Sequence, residues 1–531
     1  MSFFPDLLLW AVPGLPLAAG LLARSRAAAA AGRLTGGAAQ ASAVLALLAV
    51  AALVGNGVHT ARWAPWEIES ALAVALRLDA VSVAMAVLIT FLGAVVLRFS
   101  RRYLAGDPAQ ARFLSWMSLT LGAVLLLVLS AHLLLLAAAW IATSLCLHRL
   151  LLHYPERAGA VFSARKKFVI SRAGDACLLA AVLLLYQRYR TFDLAGIFAA
   201  IEAGDTAGLG PAGGLLAFCA MLKSAQFPFH SWLPDTLETP TPVSAFMHAG
   251  IINAGGFLVV RLSPVLAAAP LASHGLAVVG ALTAAFGALV MLAQPSVKRA
   301  LAYSTIAQMG FMLLQAGLGA YGLAMLHIAA HSLYKAHAFL MAGSTIGAVP
   351  RAALPLRTGA LAVGILAGGL FVALAAAAAH SWAPGAAPSP GVFGVVLAFA
   401  AAYVIARAWS AGGGPWVVAQ GPAVALLVIA LGLGWHAAAS YGFRDLPVGR
   451  PPRALLFVVG AVFAGLFVAQ ALLWRAGRHA WGRRLYVHLL NGFYLGTFLN
   501  RLLGRLWPQE SGAFPSSCPL STPPSNPPRT V

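Results

Sequence analysis

Met221-Leu-Lys-Ser-Ala-Gln-Phe-Pro-Phe-His-Ser-Trp-Leu-Pro-Asp235 places Lys223 at the end of an apolar run and follows it with two prolines. An ammonium in the middle of a membrane helix costs roughly 2.5–3.5 kcal/mol even on insertion scales. The chain has only five lysines (Lys166, Lys167, Lys223, Lys298 and Lys335) against thirty arginines. Lys223, Lys298 and Lys335 fall in or at the edge of apolar segments. Lysine is the base whose proton affinity responds most to burial, whereas arginine stays charged. Lysines inside and arginines outside point to a membrane protein that handles protons.

The rest of the chain agrees. It has 531 residues, 61% hydrophobic and 9% charged, with a mean hydropathy of +0.85. Apolar runs of roughly 20 residues recur, each long enough to cross a hydrocarbon core. The runs are continuous rather than alternating, so helices are expected and not a barrel. The fold class is therefore all-α, a polytopic transmembrane bundle of about 13–15 helices with broken helices among them. Spans are expected near 3–23, 38–55, 73–97, 112–130, 132–152, 168–186, 212–226 and 242–260. Others fall near 272–293, 298–318, 321–347, 358–379, 391–410, 416–437 and 454–474. The Pro-rich stretch 228–242 is the expected place for a break.

A net charge of +21 would suggest nucleic acid in a soluble protein, but here the arginines cluster between apolar runs. Arg24, Arg26 and Arg33 follow the first span, and Arg98, Arg101, Arg102 and Arg112 surround the link after the third. Arg149, Arg157, Arg165, Lys166, Lys167 and Arg172 surround the link after the fifth. By the positive-inside rule those links are cytoplasmic, the N-terminus is outside and the C-terminus is inside. The first run follows no basic region and reads as a retained helix rather than a cleaved signal. Cys146, Cys177, Cys219 and Cys518 lack CxxC spacing and read as packing residues.

The expected organisation is N-terminal helices over 1–110, a core over 111–350 and C-terminal helices over 351–478. Residues 479–507 follow as an amphipathic cytoplasmic segment and 508–531 as a Pro/Ser-rich disordered tail. In 479–507, Trp481, Tyr486, Phe493 and Tyr494 interleave with Arg483 and Arg484. That mixture suits either the headgroup layer or a docking surface.

Thr239-Pro-Thr-Pro-Val-Ser244 reads as a helix start, with Thr241 as N-cap and Pro242 in the first turn, and His248 under two turns further on. His327, His331 and Lys335 recur at i, i+4 and i+8 and share one helical face. Titrating side chains on consecutive apolar helices form a relay pattern. Asp175 is the one acid well placed in the sixth run, as counter-charge to a lysine or to Arg172. Lys298, beside Arg299, suits either a relay or a membrane interface. His327 and His331 lack the glutamate of an HExxH site and a third carboxylate, so no metal site is expected. The absence of P-loop, GxGxxG and GxSxG motifs argues against enzymatic chemistry within the chain.

Lys223 through Trp232-Leu-Pro-Asp, Pro240-Thr-Pro-Val-Ser-Ala and His248-Ala-Gly resemble proton-translocating, antiporter-like membrane subunits. That superfamily includes the large membrane subunit of respiratory NADH dehydrogenase and the Mrp-type antiporters. Lys298-Arg-Ala-Leu-Ala-Tyr-Ser-Thr and His327-x3-His331-x3-Lys335 resemble its later motifs, and the likeness covers roughly 75–350. It implies a relay of Lys223, His248, Lys298, His327, His331 and Lys335. The family commonly has Trp-Glu in the fifth span, where this chain has Trp140-Ile141, so Asp175 becomes the implied counter-charge to Lys223. No lysine follows Lys335, and no long lateral helix is expected after the last span.

Within that superfamily, four stretches are most similar to the DabB family, membrane subunits of two-component bacterial inorganic-carbon pumps. They are Trp140-Ile-Ala-Thr-Ser-Leu, His148-Arg-Leu-Leu-Leu-His-Tyr-Pro-Glu-Arg, Ala164-Arg-Lys-Lys-Phe and Val487-His-x2-Asn491-Gly-Phe-Tyr. The resemblance implies a chain of the bacterial inner membrane that conducts protons or Na+ to drive accumulation of CO2 or bicarbonate. It also implies a cytoplasmic partner, DabA, a zinc protein related to β-carbonic anhydrases. The zinc would belong to that partner and no cofactor to this chain.

Overall fold

The computed structural model describes residues 3–63, 74–345, 358–382, 391–410, 415–476 and 479–506. The expected tail over 508–531, and Trp507, lie outside them. The N-terminal part consists of α1 (Phe3–Ala23), α2 (Ala28–Asn56), the strands β1 (His59–Trp63) and β2 (Val74–Leu78), α3 (Ala80–Tyr103), α4 (Gln110–Leu129) and α5 (Leu133–Leu151). Next come α6 (Ala158–Tyr189), a short α7 (Leu194–Glu202) and α8 (Leu209–Lys223). An irregular stretch holds α9 (Trp232–Asp235) and leads into α10 (Thr241–Phe246), a π-helical turn at Met247–Ile251, α11 (Ala254–Arg261) and α12 (Ser263–Ala267). The rest is α13 (Pro270–Leu292), α14 (Val297–Gly317), α15 (Tyr321–Leu340), α16 (Thr358–Trp382), α17 (Val392–Ser410), α18 (Pro415–Gly442), α19 (Arg453–Ala476), α20 (Ala480–Leu490) and α21 (Leu495–Leu506).

The expected spans coincide with helix, except that 73–97 begins in β2 and 321–347 runs past the end of α15 at Leu340. Eleven helical stretches among the described residues are long and apolar enough to cross a membrane. One of the eleven, Thr241–Arg261, is buried along its whole window and forms the centre of the bundle. Helices α14 and α15 are 21 and 20 residues long but fall outside the eleven, because both carry polar residues into the interior. They reach the centre through close helix contact. A Cβ at Gly280 on α13 would lie 2.6 Å from the carbonyl oxygen of Gly310 on α14, so only glycine allows these backbones to touch.

Several local expectations are corrected. The helix after the Pro-rich stretch is capped by Pro240, and Thr241 is its first residue with its hydroxyl engaged elsewhere. The link after the fifth span is shorter than expected. Gly159 and Ala160 already lie in α6, which carries Lys166 and Lys167 as buried residues. The segment 479–507 is two helices, broken where Phe493 and Tyr494 adopt positive φ of 53° and 59°. The β1–β2 hairpin, pairing His59 with Leu78, was not anticipated.

The hairpin leads into a junction braced by Asp79. Asp79 caps α3 by accepting from the Ser82 backbone N–H at 2.8 Å. It also accepts from Arg261, at the end of α11, at 2.6 Å and pairs with Arg77 at 2.8 Å. Burial pushes the Asp79 carboxyl up, but Arg261, Ser82 and Arg77 outweigh it and hold the group at about 2. A carboxyl lowered from its unfolded value near 3.8 contributes stability above that pH and loses it as pH falls through about 2. Asp79→Asn should therefore cost about 2 kcal/mol at neutral pH. In thermal unfolding in detergent, its gap to wild type should stay constant from neutral pH to about pH 5 and close toward pH 2. A gap unchanged down to pH 2 would remove the charge of Asp79 from the account.

Candidate functional site

Helix α8 has 15 residues, about 22 Å at the helical rise and short of a hydrocarbon core of roughly 30 Å. Its last residue is Lys223, so the ammonium lies where the helix ends inside the protein. Ala225, in the left-handed region with φ 50°, turns the chain away. The carbonyl end of a helix carries partial negative charge and favours a cation there. Lys223 Nζ also lies 4.5 Å from the centroid of the buried Trp140 ring. It has no hydrogen-bond partner among the described residues.

Asp175, the implied counter-charge, is 2.6 Å from the Arg172 guanidinium one helical turn away. Among the described residues neither Asp175 oxygen accepts a hydrogen bond from Lys223 or Lys167. Asp175 therefore forms its direct ion pair with Arg172 and reaches Lys223 only as a second partner. Lys167 donates to the Ser144 carbonyl and hydroxyl, both at 2.8 Å.

The second helix break is braced by polar side chains. Ser224, beside Lys223, donates to the Ile252 carbonyl at 2.9 Å, at the end of the π-turn. Asn253 donates to the Ala249 carbonyl at 2.7 Å and to Ser332 on α15 at 2.8 Å. Irregular backbone at membrane depth is tolerated where protein satisfies it, as here.

His248 sits in that π-turn, fully buried and stacked on Phe339. Its Nδ1 is 3.1 Å from Thr305 Oγ1, and Thr305 donates its own proton to the Leu301 carbonyl at 3.0 Å. With that hydroxyl proton committed, the network assigns the histidine proton to Nδ1 and leaves the Nε2 lone pair open. Nε2 has no partner among the described residues. Lys335 donates to the same Leu301 carbonyl at 3.3 Å, and His331 Nε2 donates to the His248 carbonyl at 3.3 Å.

His248, His331 and Lys335 thus form one cluster. Lys223 adjoins it through Ser224 and the π-turn. Lys298 lies apart, donating to Thr241 Oγ1 at 3.0 Å. His327 is a turn from His331, with its ring nitrogens 2.8 Å from Gln315 Oε1 and 2.9 Å from Gln308 Oε1. An imidazolium donates to both oxygens, whereas a neutral ring needs one amide turned over, so this pair accommodates either state.

A further constellation, assigned no role from sequence, joins the core to the C-terminal segment. Lys166 donates to Asp235 and to Asn500 of α21, both at 2.7 Å. Reading α6 as a helix from 158 would have placed Lys166 and Lys167 inside it. Gln294 donates to the Leu490 carbonyl at 3.2 Å, and Phe493 lies against Phe286. Trp481, Arg483, Arg484, Tyr486, Phe493 and Tyr494 remain exposed. Among the described residues no three His, Cys, Asp or Glu side chains gather as a metal site.

Comparison with known proteins gives concordant matches. The NADH:quinone oxidoreductase/Mrp antiporter transmembrane family model matches residues 130–363, and that for the N-terminus of complex I chain 5 matches 63–114. The chain is 39% identical over 472 residues to a probable inorganic carbon transporter subunit, DabB2, of Halothiobacillus neapolitanus, covering 85% of this chain and 84% of the relative. It is 36% identical over 438 residues to the probable subunit DabB of Hydrogenovibrio crunogenus, covering 80% and 82%. The NADH-quinone oxidoreductase subunit L of Mycobacterium tuberculosis matches at 39% identity over 52% of this chain and 44% of its own length. Among solved structures, the Mrp complex of a Dietzia species superposes with a TM-score of 0.58 at 24% identity, covering 95% of this chain and 56% of that one. That likeness is one of fold.

The ion-pair geometry is testable by double-mutant cycles. Asp175→Asn and Arg172→Gln should each lower thermal stability, and together by less than their sum, with a coupling of about 0.5–3 kcal/mol. The cycle of Asp175→Asn with Lys223→Ala should give a smaller coupling, since those groups do not touch. Equal couplings would make Lys223 a full partner of Asp175.

Proposed function

The chain belongs to the DabB family of inorganic carbon transporter subunits, and on that premise we propose that it conducts protons or Na+ inward to drive carbon accumulation. The proposed path takes Lys223, His248, His331 and Lys335 as its centre, with His327 and Lys298 flanking them and Asp175–Arg172 tuning the charge around Lys223. Lys223 carries the reading: it is buried at a helix end, over an aromatic ring, without a hydrogen bond to hold its proton. His248 supports it by presenting an open Nε2 in the next broken helix.

The driving force is adequate. One charge crossing 100 mV releases about 2.3 kcal/mol, which sustains a gradient of roughly 50-fold. In this reading the chain is a transport subunit rather than an enzyme, and carbon chemistry belongs to a DabA-like cytoplasmic partner that holds zinc and is related to β-carbonic anhydrases. The arginine-rich links face the cytoplasm of a bacterial inner membrane, with the N-terminus outside and the C-terminus inside. A respiratory or Mrp-type role is the rival. The relatives named as carbon transporter subunits, which match most of the chain, favour the first reading.

Lys223→Ala should abolish growth at ambient CO2, and restore it at elevated CO2, in a strain depending on this protein, with the complex still assembled. Normal growth of that variant in ambient air would remove Lys223 from the path.

The exposed aromatic and arginine face of α20 and α21 is the proposed docking surface for the partner. Its composition matches interface hot spots. Truncation after Ala476 should leave an inserted protein that no longer retains the partner in detergent. Recovery of the partner at normal yield would move the docking surface to the links between spans.

A further inference from the structure

Helices α2 and α3, with the link into α4, line an open cavity of about 740 Å³ that includes none of the residues of the proposed ion path. Arg33, Arg98, Arg101 and Arg102 line it together with Gln40 and Gln110, and its lining includes no carboxylate. Three features make it more than a basic patch.

First, the cavity also takes in Ala28 and Ala29, the first residues of α2, which has no side-chain cap. Their backbone N–H groups precede the first intrahelical bond, at the positive end of a 29-residue helix. Second, glycines on α2 bring a guanidinium close. A Cβ at Gly32 would lie 3.0 Å from Arg101 Nε, and one at Gly36 would lie 3.6 Å from its Nη1. Third, exposed apolar side chains continue the helix faces that line the cavity. On α3, Phe91 and Val95 are 51% and 37% exposed and lie at helical spacing from Arg98 and Arg102. On α2, Val44 and Leu47 are 58% and 59% exposed, on the face that carries Gly37 and Gln40.

We propose that this cavity is a binding site for one anionic phospholipid, its phosphodiester headgroup held by Arg98, Arg101, Arg102 and Arg33. The acyl chains would lie along the exposed faces of α2 and α3. Arginine suits this ligand because its planar fork pairs with two phosphate oxygens at once. A basic pocket between membrane helices is the form such headgroup sites take. The exposed apolar faces beside the arginines favour a lipid over a free oxyanion, which has no use for them.

The test uses the full chain, purified in detergent, stripped of lipid and titrated with dioleoyl phosphatidylglycerol under native mass spectrometry. Wild type should bind one phosphatidylglycerol at least tenfold more tightly than phosphatidylcholine. Each guanidinium near an anionic headgroup is worth about fivefold, so Arg98→Gln combined with Arg102→Gln should weaken binding on the order of 30-fold. Arg26→Gln, outside the cavity, should leave binding unchanged. If the double variant misfolds, Arg33→Gln alone should still show a loss of about fivefold. Undiminished phosphatidylglycerol binding in the variants, or equal binding of phosphatidylcholine, would overturn the site. Displacement of the lipid from wild type by millimolar sodium phosphate would identify a free-oxyanion site and overturn the lipid assignment.

Discussion

An ammonium buried without a hydrogen-bonding partner is the constraint around which the bundle is built. Lys223 lies in the interior with nothing among the described residues to accept from it. An isolated charge there would cost several kcal/mol. Three weaker compensations stand in for a counter-ion: the carbonyl end of α8, the face of Trp140 and the field of an Asp175 already paired with Arg172. A carboxylate in direct contact would hold the proton more firmly. The arrangement compensates the charge without fixing it in a direct ion pair, as the proposed role of a carrier requires.

Ending α8 at that depth has consequences for its neighbours. The chain beyond Lys223 has no regular ladder, so its polar groups must be met by other helices. Thr283 on α13 accepts from the Phe227 backbone N–H at 3.1 Å, and Ser224 crosses to the π-turn. The π-turn in turn displaces the register of the central span and opens His248 to α14 and α15. Carbonyl oxygens cannot pass protons on, so the links through Leu301 and the His248 carbonyl position groups rather than conduct between them. In the proposed path, the open Nε2 of His248 is the group left for transfer.

Much of this was legible in the sequence because its signals are local. Apolar run length located the spans, the prolines located the break, and the i, i+4, i+8 spacing put His327, His331 and Lys335 on one face. The features that escaped depend on partners distant in sequence. Lys166 and Lys167 read as part of a basic link, since an arginine beside them and arginines on both sides mimic an interfacial cluster. Only their meeting with Asp235 and with Ser144 reveals them as interior groups. The choice of Asp175 between Arg172 and Lys223 is likewise a matter of rotamer and helix packing, which spacing alone leaves open. Thr241 has the chemistry of a cap, but Lys298 competes for its hydroxyl and takes it.

The C-terminal helices have two faces with different duties. One presents Trp481, Arg484 and Tyr486 outward, and the other touches the core through Gln294, Phe286 and Lys166. Lys166 divides its ammonium between Asp235, in the stretch that follows Lys223, and Asn500 of α21. A charged donor shared between two acceptors strengthens one bond when the other is withdrawn. Any shift of α21 is therefore felt at Asp235, twelve residues after Lys223 and on the same irregular stretch. Because the proposed docking surface belongs to the same two helices, this polar contact would link a partner seated there to the irregular stretch beyond Lys223 without that partner entering the bundle.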